Sequence, residues 1–347
     1  MSSEHSSPDA SFQPSTRPAL AISFADVQAA ADRIAPYIHH TPLIQCQTLN
    51  RLTGCELYLK GEHVQKSGSF KIRGALNALM QLDDAARRKG VVAFSSGNHA
   101  QGVALAAKLL SVKATLVMPS DVPPVKLEAT AGYGAEIVLY DRFKQDREAI
   151  ARELSAQTGA TLVPPFDDPK VMAGQGTVGL ELGRDLPDLD YAFIPVGGGG
   201  LIAGIAVALK YLQPNVVLIG VEPEGADDAR QSLARGDIVR ISQPTTIADG
   251  VATTSIGKHP FPIIRSLVDE IVTVTEDQIR EALWLLLTRT KQVVEPTGAL
   301  STAAILSNVL DGRRDLRGKK VASLLCGGNL DLLALPKLIG SVPSFSR

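Results

Sequence analysis

From about residue 21 onward, short β-branched runs alternate with longer stretches of helical periodicity. This alternation is typical of parallel α/β architectures, in which each strand leads through a helix to the next strand. The predicted strands are Leu57–Lys60, Val91–Phe94, Ala114–Met118, Glu136–Tyr140, Ala192–Val196, Val216–Val221, Ile271–Val274 and Val321–Leu325. Nearly all are apolar on both faces, as expected for strands that helices cover on each side. The sequence therefore predicts an α/β fold with open, twisted parallel sheets.

The order of these elements indicates two domains of unequal size. Residues 93–169 form a βαβαβα pattern of their own, which we interpret as a small domain inserted into a larger one. The larger domain would consist of residues 21–92 and 170–347. Residues 1–20 are rich in serine and proline and lack an apolar period, so we predict a disordered leader there.

Composition excludes several classes of protein. The 347 residues carry 35 basic and 36 acidic side chains, whereas binders of nucleic acid or anionic membranes need a basic excess. With 45% hydrophobic residues the chain can bury a full core, but its longest apolar stretch, Leu201–Leu209, is too short to span a membrane. Cys46, Cys55 and Cys326 form neither an even disulfide set nor a metal-ligand spacing, which favours a reducing cytoplasm.

Four consecutive glycines, Gly197–Gly200, follow the predicted strand Ala192–Val196 and precede a helix. In ordered structure each glycine costs roughly 1 kcal/mol relative to alanine, so a bare backbone must be needed there. Several N–H groups at a helix N-terminus favour a phosphate site. A plain tight turn is the alternative, although it would need only one or two glycines.

The same glycines leave a second class of enzyme open. Gly198, Gly200 and Ala203 satisfy the dinucleotide fingerprint, and Glu222 ends the next strand about 20 residues later. An oxidoreductase that binds NAD(P) is therefore the alternative from a different class. Against it, the fingerprint lies in the middle of the chain, and a lone glycine match is weak.

Lys71 lies between Phe70 and Ile72 at the start of an apolar helical pattern. Apolar surroundings disfavour the charged form of a lysine, so its pKa falls and its amine becomes nucleophilic and suited to a Schiff base. A surface lysine with a buried aliphatic stem is the ordinary alternative.

Two further loops follow predicted strands. Ser95–Gly102 opens a helix, where small hydroxyls and free N–H groups can bind a carboxylate or simply cap the helix. Cys326–Asn329 follows Val321–Leu325, and a buried cysteine before a turn is its ordinary interpretation. Ligands of open α/β sheets bind at the carboxyl ends of strands, so both loops stand where a ligand site is expected.

Together and in this order, these stretches resemble the fold-type II pyridoxal-phosphate (PLP) family of threonine and serine dehydratases and serine racemase. The resemblance covers about Ala21 to Leu333 and rests on the motifs SFKIRGA, SSGNHAQG, MAGQGT, PVGGGGLIAG, EPTGA and CGGN. It is greatest to the metal-binding racemase branch. The resemblance implies a tryptophan-synthase-β-like fold with two open parallel-sheet domains and PLP as the cofactor.

The resemblance also implies the residues that bind this cofactor. Lys71 would carry PLP as a Schiff base, Phe70 would pack against its ring, and Asn98 would hydrogen-bond its 3-hydroxyl. Glu295, in the EPTGA motif, would belong to the cofactor site. The phosphate would bind the backbone N–H groups of Gly197, Gly198, Gly199, Gly200 and Leu201.

Further roles follow from the same resemblance. The substrate carboxylate would bind the loop that contains Ser95, Ser96, Asn98 and His99. Ser96 occupies the position of the second acid/base serine of the racemases, so racemisation is chemically open. Cys326 stands where many relatives have serine, opposite the pyridine nitrogen. A neutral thiol there does not protonate the ring, which makes the cofactor a moderate electron sink and suits elimination.

An acidic segment resembles a metal site. Glu222, Asp228 and the carbonyl of Ala226 match the oxygen ligands that bind magnesium, calcium or manganese in the racemase branch. A solvated acidic loop is the alternative. If Glu222 binds a metal, it does not bind the ribose of a dinucleotide, which weakens the oxidoreductase hypothesis. The metal is expected to be structural or activating.

The expected activity is an ammonia-lyase (dehydratase) that converts a β-hydroxy α-amino acid, L-threonine or L-serine, to the 2-keto acid and ammonia. Threo-3-hydroxyaspartate ammonia-lyase and serine racemase are the alternatives within the same fold. Arg147 could bind a second substrate carboxylate or lie on a surface helix. We also expect a cytoplasmic homodimer that acts on a small amino acid, without nucleic-acid or membrane partners.

Overall fold

The computed structural model describes residues 20–122 and 124–340. Apart from Leu20, the predicted leader lies outside the described residues. Among the helices of these two ranges, none combines the length and apolarity that a membrane span requires.

Ten strands lie in the described ranges and form two sheets. They are β1 (Leu43–Gln45), β2 (Glu56–Lys60), β3 (Val91–Phe94), β4 (Ala114–Pro119), β5 (Glu136–Tyr140), β6 (Thr161–Leu162), β7 (Tyr191–Pro195), β8 (Val217–Pro223), β9 (Glu270–Val274) and β10 (Lys320–Leu324). The larger sheet has the order β1-β2-β10-β7-β8-β9, and the smaller has the order β5-β4-β3-β6. Neighbouring strands run parallel, except that β1 pairs antiparallel with β2.

Helices connect most of the parallel strands, as a parallel sheet requires. The α-helices of the described residues are α1 (Phe24–Ile34), α2 (Gln47–Thr53), α3 (Lys71–Met80), α4 (Asp84–Lys89), α5 (Asn98–Leu110), α6 (Pro124–Gly132), α7 (Arg147–Thr158), α8 (Pro169–Asp185), α9 (Gly200–Leu212), α10 (Asp228–Arg235), α11 (Pro260–Leu267), α12 (Glu276–Leu285), α13 (Pro296–Leu306) and α14 (Leu335–Ile339).

All eight predicted strands are present, and their ends differ from the prediction by two residues at most. The predicted α/β fold with open parallel sheets is confirmed, and the larger sheet adds one antiparallel edge strand, β1. β1 and β6 escaped prediction because runs of three and two residues carry no measurable alternation. The smaller sheet falls within residues 91–162, and the proposed domain boundaries stay a prediction.

Apolar layers cover both faces of the larger sheet. In β7, Ala192 and Ile194 point into the layer that contains α8 and α9, whereas Phe193 points into the layer that contains α13. All three side chains are fully buried. Since successive side chains of a strand point to opposite faces, a strand that is apolar throughout needs cover on both sides.

Beneath the start of α3, a buried ion network joins three elements. The fully buried Arg73 donates from Nε and Nη2 to the two carboxylate oxygens of Glu62, at 2.8 and 2.7 Å. Its Nη1 lies 2.6 Å from Glu181 in α8, and Glu181 also pairs with the buried Lys60 in β2 at 2.6 Å. Burial alone would raise the pKa of Glu181, but these two cations hold it below its usual range. The network therefore fixes α3 against β2 and α8.

Replacing Glu62 by glutamine (Glu62→Gln) should strongly destabilise the protein. Loss of one partner leaves the buried charge of Arg73 without its bidentate carboxylate, and such losses cost about 3–5 kcal/mol. The free energy of unfolding from urea denaturation measures the effect. Asp315→Asn is the matched control, because it removes an exposed ion pair with Arg317 and should leave stability unchanged. Equal losses in both variants would contradict the prediction.

Candidate active site

Loops from both sheets line one cavity of about 270 Å³. β3 leads to Ser95, β7 leads to the glycine run, and β10 leads to Cys326. The cavity brings together every residue predicted for cofactor and substrate: Phe70, Lys71, Ser95, Ser96, Asn98, His99, Gly197, Gly198, Gly199, Gly200, Leu201, Glu295 and Cys326. Within the described ranges, the residues predicted for the metal lie outside its lining. This placement follows from strand direction, because ligand sites form at the carboxyl ends of parallel strands.

The glycine run forms a cradle of bare backbone. Gly199 has a φ of 86°, a left-handed value that favours glycine, and Gly200 begins α9. A Cβ atom on Gly198 would lie 2.3 Å from the ring of Phe166. A Cβ atom on Gly200 would lie 2.7 Å from the carbonyl oxygen of Phe166. With the N-terminus of α9 beside it, the cradle fits an anion better than it fits a plain turn.

Lys71 begins α3 and borders the cavity. Its Nζ donates to the carbonyl oxygen of Pro165 at 2.8 Å and lies 5.1 Å from the centre of the Phe70 ring. Burial lowers the pKa of Lys71 to about 8, although Cys326 and Glu295 act in the opposite direction. At pH 7 the amine is therefore neutral in about a tenth of molecules, far more than for an ordinary lysine, and the neutral form is the one that acts as a base or nucleophile.

Asn98 connects two other parts of the site. Its Nδ2 donates to Oε1 of Glu295 at 2.6 Å, and its Oδ1 accepts from Nδ2 of Asn329 at 2.8 Å. Burial, followed by the charge of Asp249, raises the pKa of Glu295 to about 7. The carboxyl group of Glu295 is therefore poised between its neutral and charged forms near neutral pH.

Two other predicted residues are held neutral. Burial, followed by the nearby amine of Lys71, lowers the pKa of His99 to about 3, and its Nε2 lies 2.9 Å from the carbonyl oxygen of Val163. His99 therefore offers no positive charge to a carboxylate. Burial and the charge of Glu295 raise the pKa of Cys326 well above its usual range. Its thiol stays protonated, in agreement with the neutral group expected there.

Ser95 and Ser96 lie side by side in the cavity lining, and both side chains keep some solvent access. The Oγ atom of Ser95 accepts from the backbone N–H of Gly97 at 3.1 Å. Ser95 therefore shapes the turn that leads into α5, while Ser96 adjoins it in the lining.

Besides Lys71, the lining contains three basic side chains, and sequence reasoning missed two of them. Lys126 pairs with Asp249 at 2.7 Å, and Arg142 pairs with Asp121 at 2.7 Å. Arg147, the predicted one, begins α7 and has no carboxylate within 4.0 Å in the part of the chain that the structure describes. Lys126 lies in α6 and Arg142 follows β5, and neither belongs to a motif, so they left no signal in the sequence.

Phe166 was also missed. Its ring and carbonyl form the wall against the glycine cradle, and its segment supplies the carbonyl that Lys71 contacts. The only available signal is the Pro164-Pro165 pair before it, which marks an extended segment.

The predicted metal ligands lie together at the end of β8 and the start of α10. Glu222, Ala226 and Asp228 are all fully buried. The oxygens of Glu222 accept from the backbone N–H groups of Ala229 and Arg230 at 3.0 and 2.8 Å. Glu222 lies outside the lining of the cavity that contains the glycine run, so a ribose bound there would not reach its carboxylate, which counts against the oxidoreductase hypothesis.

The electrostatics of this segment fit a hard cation. Oδ2 of Asp228 is buried and has no hydrogen-bond partner among the described residues. Burial raises the pKa of Asp228 to about 7, and burial together with Asp228 raises the pKa of Glu222. A cation would neutralise both carboxylates and satisfy the free oxygen. No group of three or more His, Cys, Asp or Glu side chains suited to a metal occurs in residues 20–122 and 124–340, so a backbone carbonyl would have to complete the set.

Comparison with known proteins agrees with this geometry. A family model described as "Pyridoxal-phosphate dependent enzyme" matches residues 34–327. L-threo-3-hydroxyaspartate ammonia-lyase of Saccharomyces cerevisiae is 48% identical over 317 residues, which cover 91% of this chain and 96% of the yeast protein.

Solved structures give the same result. A threonine deaminase from T.th. is 52% identical with a TM-score of 0.83, over 89% of this chain and 99% of that one. Maize serine racemase is 39% identical with a TM-score of 0.88, over 91% of this chain and 96% of that one. The chain therefore belongs to the family of pyridoxal-phosphate dependent enzymes and has the fold-type II architecture.

Proposed function

We propose that the protein is an ammonia-lyase that converts a β-hydroxy α-amino acid to the 2-keto acid and ammonia by α,β-elimination. The observation that carries this proposal is the amine of Lys71, whose lowered pKa suits a base. It lies in one cavity with the glycine cradle and with Ser95–His99, which we call the asparagine loop. Two of the similar proteins named above are a hydroxyaspartate ammonia-lyase and a threonine deaminase, which supports the same class of reaction.

The cavity fits PLP. Gly197–Leu201 line the cavity at the N-terminus of α9, where their N–H groups would hold a phosphate, and the amine of Lys71 borders the same space. Asn98 would bind the 3-hydroxyl, and Cys326 would face the pyridine nitrogen as a neutral thiol. When bound, PLP supplies an electron sink for the carbanion, and a neutral partner at the nitrogen keeps that sink moderate.

Lys71 and Ser96 would transfer the protons of this reaction. Lys71 takes the α-proton of the substrate on its Nζ, for which a neutral amine is required. The β-hydroxyl then leaves with one proton as water, the remaining enamine tautomerises to an imine, and hydrolysis of that imine gives the keto acid and ammonia. Ser96 would hold the second proton position, as racemisation needs. Serine racemase activity is therefore the alternative reaction at this site.

Backbone groups dominate the proposed carboxylate site. The first N–H groups of α5 and the hydroxyls of Ser95 and Ser96 lie at the N-terminus of α5, and a helix N-terminus favours an anion. His99 contributes as a neutral group, because its pKa lies near 3. The site therefore binds the α-carboxylate without a cationic side chain of its own.

L-Threonine and L-serine are the proposed substrates, and L-threo-3-hydroxyaspartate is a second candidate. One observation favours the second: Arg147 lines the cavity, whereas Lys126 and Arg142 already have carboxylate partners. A cation that lies over the Phe94 ring but has no carboxylate partner in the described part of the site suits a substrate with a second carboxylate, which a guanidinium binds in bidentate fashion.

The first test is keto-acid release from each of the three substrates by the PLP-loaded protein. We expect turnover with at least one of them and its loss in Lys71→Ala, because no other amine of the site is free to take the α-proton. Lys66→Ala, a lysine five residues earlier, is the control and should keep activity. Full turnover by Lys71→Ala would refute the proposal.

The second test separates the substrates. If Arg147 binds a β-carboxylate, Arg147→Met should lower kcat/KM for hydroxyaspartate by about 10- to 100-fold, the value of a charge-assisted hydrogen bond, and change that for L-threonine by less than about threefold. Arg152→Met, on the exposed side of the same helix, is the matched control. Equal effects on both substrates would exclude this role for Arg147.

A divalent cation is part of the proposal. Glu222, Asp228 and the carbonyl of Ala226 would hold Mg²⁺, Ca²⁺ or Mn²⁺, and the unpartnered Oδ2 of Asp228 supports this assignment. The segment lies outside the cavity lining in the described residues, so the ion would stabilise the fold instead of contacting substrate.

Removing the metal should therefore lower thermal stability. A ligand at 100 times its Kd stabilises the folded state by about 2.7 kcal/mol, so Mg²⁺ should raise the melting temperature of chelator-treated protein. Asp228→Asn should abolish the response. Glu224→Gln, an exposed neighbour in the same segment, should keep it. An unchanged response in Asp228→Asn would place the cation elsewhere.

The resemblance further supports a homodimer, and the composition supports a cytoplasmic location. Both stay predictions, as does a disordered leader over residues 1–20.

A further inference from the structure

Asn329 connects three segments of the site that are distant in sequence. Its Nδ2 donates to the carbonyl oxygen of Ser67 and to Oδ1 of Asn98, both at 2.8 Å. Ser67 precedes α3, which carries Lys71, and Asn98 begins α5. Asn329 itself follows β10. A single amide group therefore joins residues Ser67–Lys71, which we call the lysine segment, to the asparagine loop.

The backbone around Ser67 is strained in a way that serves this contact. Ser67 and Gly68 have left-handed φ values of 61° and 71°. The left-handed conformation costs a non-glycine residue roughly 1–2 kcal/mol, and such outliers gather where a function depends on them. A Cβ atom on Gly68 would lie 2.3 Å from Oδ1 of Asn329. The lysine segment is therefore shaped around the Asn329 side chain.

The contact fixes which end of the Asn98 amide faces the cavity. An asparagine amide has a donor end and an acceptor end, and its hydrogen-bond partners decide the flip. The N–H of Asn329 occupies Oδ1 of Asn98, so Nδ2 turns to Glu295 at 2.6 Å. The second hydrogen of Nδ2 is left for a ligand acceptor in the cavity that Asn98 lines.

We propose that Asn329 is a positioning residue, which holds the Asn98 amide with its donor end toward Glu295 and the cofactor. The inference rests on the proposed role of Asn98 at the PLP 3-hydroxyl. In the opposite flip, Nδ2 of Asn98 would face Nδ2 of Asn329, so two donors would meet, and Oδ1 of Asn98 would face the charged form of Glu295, so two acceptors would meet. Glu295 is only 2% exposed, so no bulk water would relieve that mismatch.

A double-mutant cycle on the full chain tests this inference. Asn329→Asp keeps the shape but places a carboxylate against two carbonyl-type oxygens, so the Asn98 amide should turn over. We expect the Kd for PLP, from titration of the PLP-depleted protein by visible absorbance, to rise at least about tenfold. In the Asn98→Ala background, the same substitution should raise the Kd by a clearly smaller factor, because only the contact with the carbonyl oxygen of Ser67 remains.

Control variants keep this test decisive. Asn329→Ala removes the donor without adding charge, and it should weaken PLP binding in the same background-dependent way if Asn329→Asp does not fold. Asn308→Asp makes the same exchange on an exposed turn and should leave the Kd unchanged. Near-UV circular dichroism checks that each variant is folded.

Two results would overturn the inference. Equal losses in the wild-type and Asn98→Ala backgrounds would mean that Asn329 acts through the general fold, and no loss in either would mean that it does not position Asn98. Wild-type protein that binds PLP but releases no keto acid would contradict only the proposed function, since the readout here is cofactor affinity.

Discussion

The buried pair of Arg73 and Glu62 is the interaction on which the site depends most. Arg73 lies two residues after Lys71 in the same helix, and its contacts to Glu62 and Glu181 fix that helix against β2 and α8. Without partners, a guanidinium in this interior would cost several kcal/mol. Arg73 reaches both carboxylates from only one position of the helix. The pairing therefore also fixes where the amine of Lys71 enters the cavity.

Lys71 and Arg73 lie in the same helix and are similarly buried, yet their pKa values shift in opposite directions. Arg73 has two carboxylates within 2.7 Å, and they raise its pKa above its usual range. Lys71 meets a carbonyl oxygen instead, so burial lowers its pKa to about 8. The difference lies in the charges opposite each side chain and not in depth. Arg73 therefore stays charged and stabilises the fold, whereas Lys71 can lose its proton and act as the base of the proposed function.

Sequence alone predicted much of this fold, for reasons that can be stated. Strands such as β3 and β5 are apolar, β-branched and bounded by clear breaks, and both were predicted with their exact ends. The glycine run stood out because four glycines in a row need a cause. By contrast, Phe166 meets the glycine cradle, and Asn329 meets Ser67, only through the tertiary fold. No local period or spacing records such contacts, so the structure was required.

In the proposed function, the amine that acts as base and the cation that would bind the substrate side chain lie in different parts of the chain. Lys71, the glycine cradle and Cys326 belong to segments around the larger sheet, whereas Arg147 follows β5 of the smaller sheet at the start of α7. A substitution at Arg147 changes the charge offered to the substrate side chain without disturbing the buried contacts that tune the amine. Under this proposal, proteins named for hydroxyaspartate, threonine and serine could share one fold over nearly their whole length and still differ in substrate. Substrate preference then depends on a few cavity residues, and the base and cradle can stay the same.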